Sequence, residues 1–169
     1  MSLARKLLLA TALATAGVSA CSTAPTPGPT VAVFDATAFA WSTVPGDAAV
    51  SGQVSYAGGG RRWSCAGSVG LTPETPWTRQ RFLTLYASTE RAAVPAAVVR
   101  ARSVTEASAD YQAFVRSTTC DGAGRFSFDS LPAGNWYLIA PVTAEGQDPV
   151  VLMRRVSTRP GGTTTVTLD

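Results

Sequence analysis

The feature that most confines this chain is a series of short apolar runs with a period of two, each closed by a turn rich in glycine or proline. Val50, Gly52, Val54 and Tyr56 alternate with Ser51, Gln53 and Ser55, and Gly58-Gly59-Gly60 ends the run. Successive side chains of a strand point to opposite faces. This spacing therefore builds a half-buried strand, whereas a helix would scatter the same residues around its circumference. Val69 and Leu71 predict a second strand, closed by Pro73. After the turn Asp121-Gly122-Ala123-Gly124, Phe126 and Phe128 share one face, opposite Arg125, Ser127 and Asp129. Leu131-Pro132-Ala133-Gly134-Asn135 turns the chain again, into a run at 136–142 apolar enough to be buried on both sides. Residues 150–156 after Pro149, and Thr163–Leu168 after Pro160-Gly161-Gly162, complete the series.

One helix interrupts the strands. Thr75-Pro76 reads as a helix start with proline at the first helical position, and Trp77, Phe82, Leu85 and Tyr86 form an apolar face that continues to about residue 88. Residues 89–110, broken by Pro95, suit strand, helix or loop. Residues 111–119 read as a strand with Tyr111, Ala113 and Val115 on one side. Residues 31–48, with Phe34, Phe39 and Trp41, suggest a leading strand. Short strands between Gly/Pro turns with little helix predict an all-β Greek-key sandwich, with one short helix inserted around 75–88.

Residues 1–20 read as a targeting segment. Arg5 and Lys6 precede fourteen uncharged residues, fewer than the roughly 20 apolar residues a membrane-spanning helix requires. The segment ends Val18-Ser19-Ala20-Cys21, which resembles the lipobox of bacterial lipoproteins: an aliphatic residue, two small residues and the cysteine that accepts lipid. The resemblance implies cleavage between Ala20 and Cys21 and acylation of Cys21. Buried acyl methylenes contribute ~0.8 kcal/mol each, and two or more chains give stable attachment. Asp after the cysteine commonly retains such lipoproteins at the inner membrane. Ser22 stands there instead, so the resemblance favours the outer membrane, facing the periplasm or the surface. Residues 22–30 hold three prolines and no bulky apolar side chain, as a tether would. The expected organisation is a signal peptide at 1–20, a lipidated N-terminus and tether at 21–30, and a sandwich domain at 31–169 with its core at about 50–142.

With Cys21 assigned to lipid, Cys65 and Cys120 remain. In an oxidising envelope a disulfide is the default for such a pair. Zinc without histidine would be poorly served, and no CxxC motif is present. The net charge of +3 falls to +1 without Arg5 and Lys6. The pairs Arg61-Arg62 and Arg154-Arg155 are isolated, and no basic stripe interleaved with aromatics points to nucleic acid.

The stretch 121–138 resembles the signature of carboxypeptidase regulatory-like domains, which share the transthyretin-like (prealbumin-like) sandwich. Asp121, Gly124, Phe126, Phe128, Leu131, Pro132, Gly134, Trp136 and Leu138 stand in its register, and Gly52 and Val54 match the family's opening strand. On this reading Phe126, Phe128, Trp136 and Leu138 load one core face across a hairpin. The resemblance implies a fold more than a function, and it is to the accessory sandwich, not to the zinc peptidase that sometimes accompanies it.

The chain contains no histidine, and its one lysine is Lys6. A histidine base, a histidine-ligated metal and a Ser-Lys dyad are thereby removed from its own chemistry. Carboxylate pairs among Glu74, Glu90, Glu106 and Glu145 stay formally open, with scattered, solvated glutamates the plainer expectation. Asp121 and Asp129 are assigned to turn structure rather than to calcium. The expectation is thus a non-catalytic, lipid-anchored envelope protein without cofactor or metal. It serves as an interaction or structural module for another envelope protein, or, as the alternative, as a carbohydrate-binding module. Trp63, Trp77 and Tyr86 are the candidate ligand platform, weighed against a role in core packing.

Overall fold

A computed structural model of the chain describes residues 31–102, 104 and 109–169. The signal-peptide and lipidation assignments, with Ala20 and Cys21, lie outside the described residues, as does Glu106. Within the unit Val31–Asp169 the order is a 3-10 helix (Ala36–Thr43), β1 (Ala48–Val54), β2 (Ser64–Cys65), β3 (Ser68–Pro73), α1 (Pro76–Tyr86), β4 (Arg91–Pro95), α2 (Ala96–Ala101), α3 (Ala109–Gln112), β5 (Arg116–Thr119), β6 (Arg125–Leu131), β7 (Gly134–Thr143), β8 (Val150–Thr158) and β9 (Thr163–Leu168). Two sheets face each other. One runs β6-β1-β9; the other runs β4-β8-β7-β3-β5, with β2 paired to β7. The fold is an all-β sandwich carrying short helices, as the strand spacing predicts.

The period-two pattern becomes the sandwich core. Val50 and Val54 of β1, Phe126 and Phe128 of β6, and Val166 and Leu168 of β9 point inward from the smaller sheet. They meet Val69, Leu71, Trp136, Leu138, Ala140 and Val142 from the larger. Burying a large apolar side chain contributes about 1.5–3 kcal/mol, and Trp136, Leu71 and Leu138 are fully enclosed. The polar positions of the alternation (Ser51, Gln53, Ser127, Thr165, Thr167) remain exposed on the outer face of the smaller sheet.

The outer face of the larger sheet is covered instead. Tyr137 and Met153 project from it against Phe82, Leu85 and Tyr86 of α1, and the Phe82 and Tyr137 rings meet at 4.5 Å. The helix starts as its sequence requires. Thr75 is the N-cap, its hydroxyl accepts from Thr78 N at 3.2 Å, Thr78 Oγ1 accepts from Thr75 N at 2.7 Å, and Pro76 opens the first turn. Beside α1 a third cluster joins Phe39, Trp77 and Tyr111.

Three expectations change, and one open stretch is resolved. Phe126 and Phe128 do not share a hairpin with Trp136 and Leu138. β6 pairs β1, β7 pairs β3 and β8, and the Leu131-to-Gly134 turn carries the chain from one sheet to the other. The four side chains therefore meet face to face across the core. Residues 36–43 form a 3-10 helix rather than a leading strand, because the Asp35 carboxylate accepts from Thr37 N at 2.9 Å and starts a helical turn. Tyr111 lies within a short helix, and the strand begins only at Arg116. Tyr111 packs on Trp77 at 4.9 Å and bonds Thr72 through its hydroxyl at 3.0 Å, which a continuous strand would not allow. The open stretch after residue 89 resolves into β4, whose Pro95 ends an edge strand, followed by α2.

The signature glycines have packing reasons. A Cβ on Gly52 would lie 2.2 Å from the Phe126 ring, and one on Gly134 would lie 2.2 Å from Trp41. Trp41 in turn packs edge-on against Trp136 at 4.9 Å.

Candidate functional site

Cys65 and Cys120 form the expected disulfide, with Cα atoms 6.5 Å apart. The bond ties β2 to the chain just after β5, and Cys120 N donates to Gly67 O at 3.2 Å beside it. At this end of the sandwich lies an open cleft of about 920 Å³. Its walls are the end of β1 and the loop that follows (Gln53 to Ala57, then Gly60 to Trp63), β2, and the turn Asp121 to Gly124.

The turn is held rigidly. One carboxylate oxygen of Asp121 accepts from Ala123 N at 2.9 Å and Arg125 N at 2.8 Å; the other accepts from Arg125 Nε at 2.8 Å. These donors, Arg125 first, hold the carboxyl below its usual pKa. Gly124 adopts φ +75°, a conformation costly to a residue with a Cβ. Its carbonyl accepts from Val54 N at 2.9 Å, and Gln53 Nε2 donates to Ala123 O at 3.1 Å, so the turn is fastened to β1. Asp121 is thus a turn residue, as the sequence suggests, and Asp129 lies on the exposed face of β6.

The opposite wall is aromatic. Trp63 N donates to Tyr56 O at 3.3 Å, and Trp63 Nε1 closes the glycine loop by donating to Gly58 O at 3.0 Å. The Tyr56 and Trp63 rings meet at 5.4 Å and 61°. Trp63 is 9% exposed and Tyr56 is half-buried. Arg61 and Arg62 are exposed beside them. Arg61 makes only a 3.5 Å contact to the Glu145 carbonyl, and Arg62 has no side-chain partner among the described residues. Charged forks, an amide, a carboxylate and aromatic edges on one concave surface suit a polar ligand with apolar faces.

The proposed platform of Trp63, Trp77 and Tyr86 is not assembled. Trp63 belongs to the sandwich core, Tyr86 to the cluster under α1, and Trp77 to the third cluster. Trp77 is 8% exposed with Arg81 over its ring at 5.3 Å. Burial pushes the Tyr86 phenol up to about 12. Only Trp63 lines the cleft, and its unforeseen companion is Tyr56, which reads in sequence simply as the last inward residue of a strand. A second, shallower hollow of about 190 Å³ lies between α1 and residues 31–32, with Trp77 in its floor.

The glutamates are less scattered than expected. Glu74 is buried, accepting from Arg155 Nε at 2.7 Å, Arg79 Nη1 at 2.8 Å and Tyr137 Oη at 3.3 Å. Glu90 approaches the same Arg155 at 3.9 Å, while Glu145 is exposed. With three donors on Glu74, the cluster ties the start of α1 to β7 and β8. No group of three potential metal-ligating side chains occurs among the described residues, and no described helix is long and apolar enough to cross a membrane.

No protein-family model matches the chain, and no curated protein does. Among solved structures, the chain is similar to a protein of Pseudomonas aeruginosa named as a "putative carbohydrate binding protein". The two share 20% identity and superpose with a TM-score of 0.61 over 82% of this chain and 99% of that one, a likeness of fold.

Proposed function

We propose that the mature chain is a non-catalytic carbohydrate-binding module, hung by lipid on Cys21 from the outer membrane of a bacterial envelope, and that the disulfide-bordered cleft takes the glycan. The observation that carries the reading is the cleft itself. It sets Tyr56 and Trp63 beside Gln53, Arg61 and Arg62 in a volume of about 920 Å³. Sugars are bound by such pairings, an aromatic surface for the C–H face and polar side chains for the hydroxyls. The likeness in fold to the Pseudomonas aeruginosa protein supports glycan over protein as the ligand, reversing the order of the two readings drawn from sequence. The lack of histidine, with lysine confined to Lys6, supports a binding role rather than catalysis. Kinship with carboxypeptidase regulatory-like domains remains part of the proposal. It rests on the signature residues, whose glycines and aromatics pack the core.

The test is a glycan array probed with the wild type and with Tyr56→Ala. Binding to a glycan that weakens in the variant, with its circular dichroism unchanged, supports the reading. An array without signal, together with specific capture of an envelope protein, returns the function to protein interaction. The anchor is tested separately: Cys21→Ala should move the protein from the membrane to the soluble fraction, and retention at the membrane overturns the lipid assignment.

A further inference from the structure

The charges around the cleft do not balance, and the imbalance bears on the ligand. Its lining contains one carboxylate, Asp121, and two guanidinium groups, Arg61 and Arg62. Both Asp121 oxygens are occupied by the turn's own donors, and its charge is paired with Arg125 at 2.8 Å. The two arginines are in a different condition. Neither forms an ion pair among the described residues, and Arg62 forms no side-chain hydrogen bond at all there. They lie next to Trp63, whose ring is fixed by its bond to Gly58 and its packing on Tyr56. A Cβ on Gly59 or Gly60, on the same loop, would meet nothing within 4 Å. Among the other described arginines, Arg79 and Arg155 are engaged on Glu74, Arg91 and Arg154 on Asp169, and Arg116 on Ser42 O and Ser130 O, while the exposed Arg100 and Arg159, which lie away from the cleft lining, also lack a side-chain partner among the described residues.

We infer that the glycan is anionic, carrying ring-borne oxyanions (carboxylate or phosphate), and that Arg61 and Arg62 receive them while Tyr56, backed by Trp63, packs on a sugar face. The inference rests on the carbohydrate reading of the cleft and narrows it. A guanidinium presents a planar fork of donors that matches an oxyanion two bonds at a time, and it keeps its charge at every physiological pH. Two exposed guanidinium groups without an ion-pair partner favour an anionic sugar over a neutral one, which could form no doubly charged bond with them.

Isothermal titration of the full domain, with its disulfide intact, separates the possibilities. The probes are tetragalacturonate, a phosphate-bearing tetrasaccharide and maltotetraose, titrated against the wild type and an Arg61→Gln/Arg62→Gln variant. Both positions are exposed, and an unchanged thermal midpoint will show that the variant folds. Binding of either charged probe but not of maltotetraose is expected. That affinity should weaken about tenfold or more in the variant, and fall with added salt as screening requires. Whichever charged probe binds identifies the oxyanion. Equal binding of maltotetraose, or a variant that binds the charged probe undiminished, overturns the anionic assignment and leaves the carbohydrate reading standing. Failure of all three probes, with an array also blank, overturns the carbohydrate reading and this inference together.

Discussion

Replacing Cys65 and Cys120 together with alanine removes a crosslink between residues 55 apart in sequence. In the folded state the change is local, because both side chains sit at the margin of the sandwich core and are only partly buried. In the unfolded state it is large: the freed loop regains conformations whose loss is worth about 4 kcal/mol by the chain-entropy relation. For a domain of this size, with an unfolding entropy near ~2 cal/mol/K per residue, that corresponds to a midpoint lower by about 14 °C. The assay is thermal and urea unfolding of the wild type and the double variant. The urea slope should also steepen, because an unbridged unfolded chain exposes more surface. A midpoint lowered by less than about 4 °C, or roughly 1 kcal/mol, would refute the reasoning. The loop would then already be restrained in the unfolded chain, and the bond would serve the shape of the cleft rather than stability.

Other outcomes follow from the packing. Gly134→Ala, whose Cβ would lie 2.2 Å from Trp41, should cost about 1–3 kcal/mol in urea unfolding as overpacking; a neutral change would show that the Trp41–Trp136 contact yields freely. Thr75→Ala removes the cap of α1 and should cost about 1 kcal/mol, read by the same unfolding curve; unaltered stability would mean that α1 is held by its aromatics alone. The buried Tyr137 phenol is pushed up to about 12, by burial first and then by the Glu74 charge. Because its folded-state value is raised, its contribution to stability is whole below about pH 10 and is lost as pH climbs through about 12. The phenolate difference titration between wild type and Tyr137→Phe should therefore have its midpoint near 12, and one near 10 would contradict the burial.

Legibility followed the range of the interactions. Period-two alternation places Val50, Val54, Phe126 and Phe128 correctly, because burial of one face is written along a single strand. The cap of α1 is equally local: Thr75, Pro76 and Thr78 are neighbours in sequence and in space. What a local pattern does not decide depends on partners far along the chain. The same Leu-Pro-Ala-Gly turn can close a hairpin or carry the chain between sheets, and only the pairing of β6 with β1 decides it. Tyr111 has a strand former's side chain, yet Thr72 and Trp77 hold it in a helix. The cleft was half visible. Trp63 stands out as an aromatic candidate, and Arg61-Arg62 as an isolated basic pair, but their meeting with Tyr56 and the Asp121 turn arises from β1 lying beside β6.

The middle strand of the smaller sheet pairs antiparallel with β6 and parallel with β9, so that sheet gathers residues 48–54, 125–131 and 163–168. Its hydrogen bonds run from Ala49 N to Gly162 O at one end and from Ser55 N to Leu168 O at the other. During synthesis, β1 leaves the ribosome long before either partner exists, and its alternating edge waits unpaired until most of the chain has followed. Assembly of this half of the sandwich is consequently late and non-local, in the slow range for topologies of high contact order. In that interval an unpaired strand edge is open to other chains. A nascent fragment ending before β9 would therefore be prone to self-association, even though every residue of β1 and β6 is already in place.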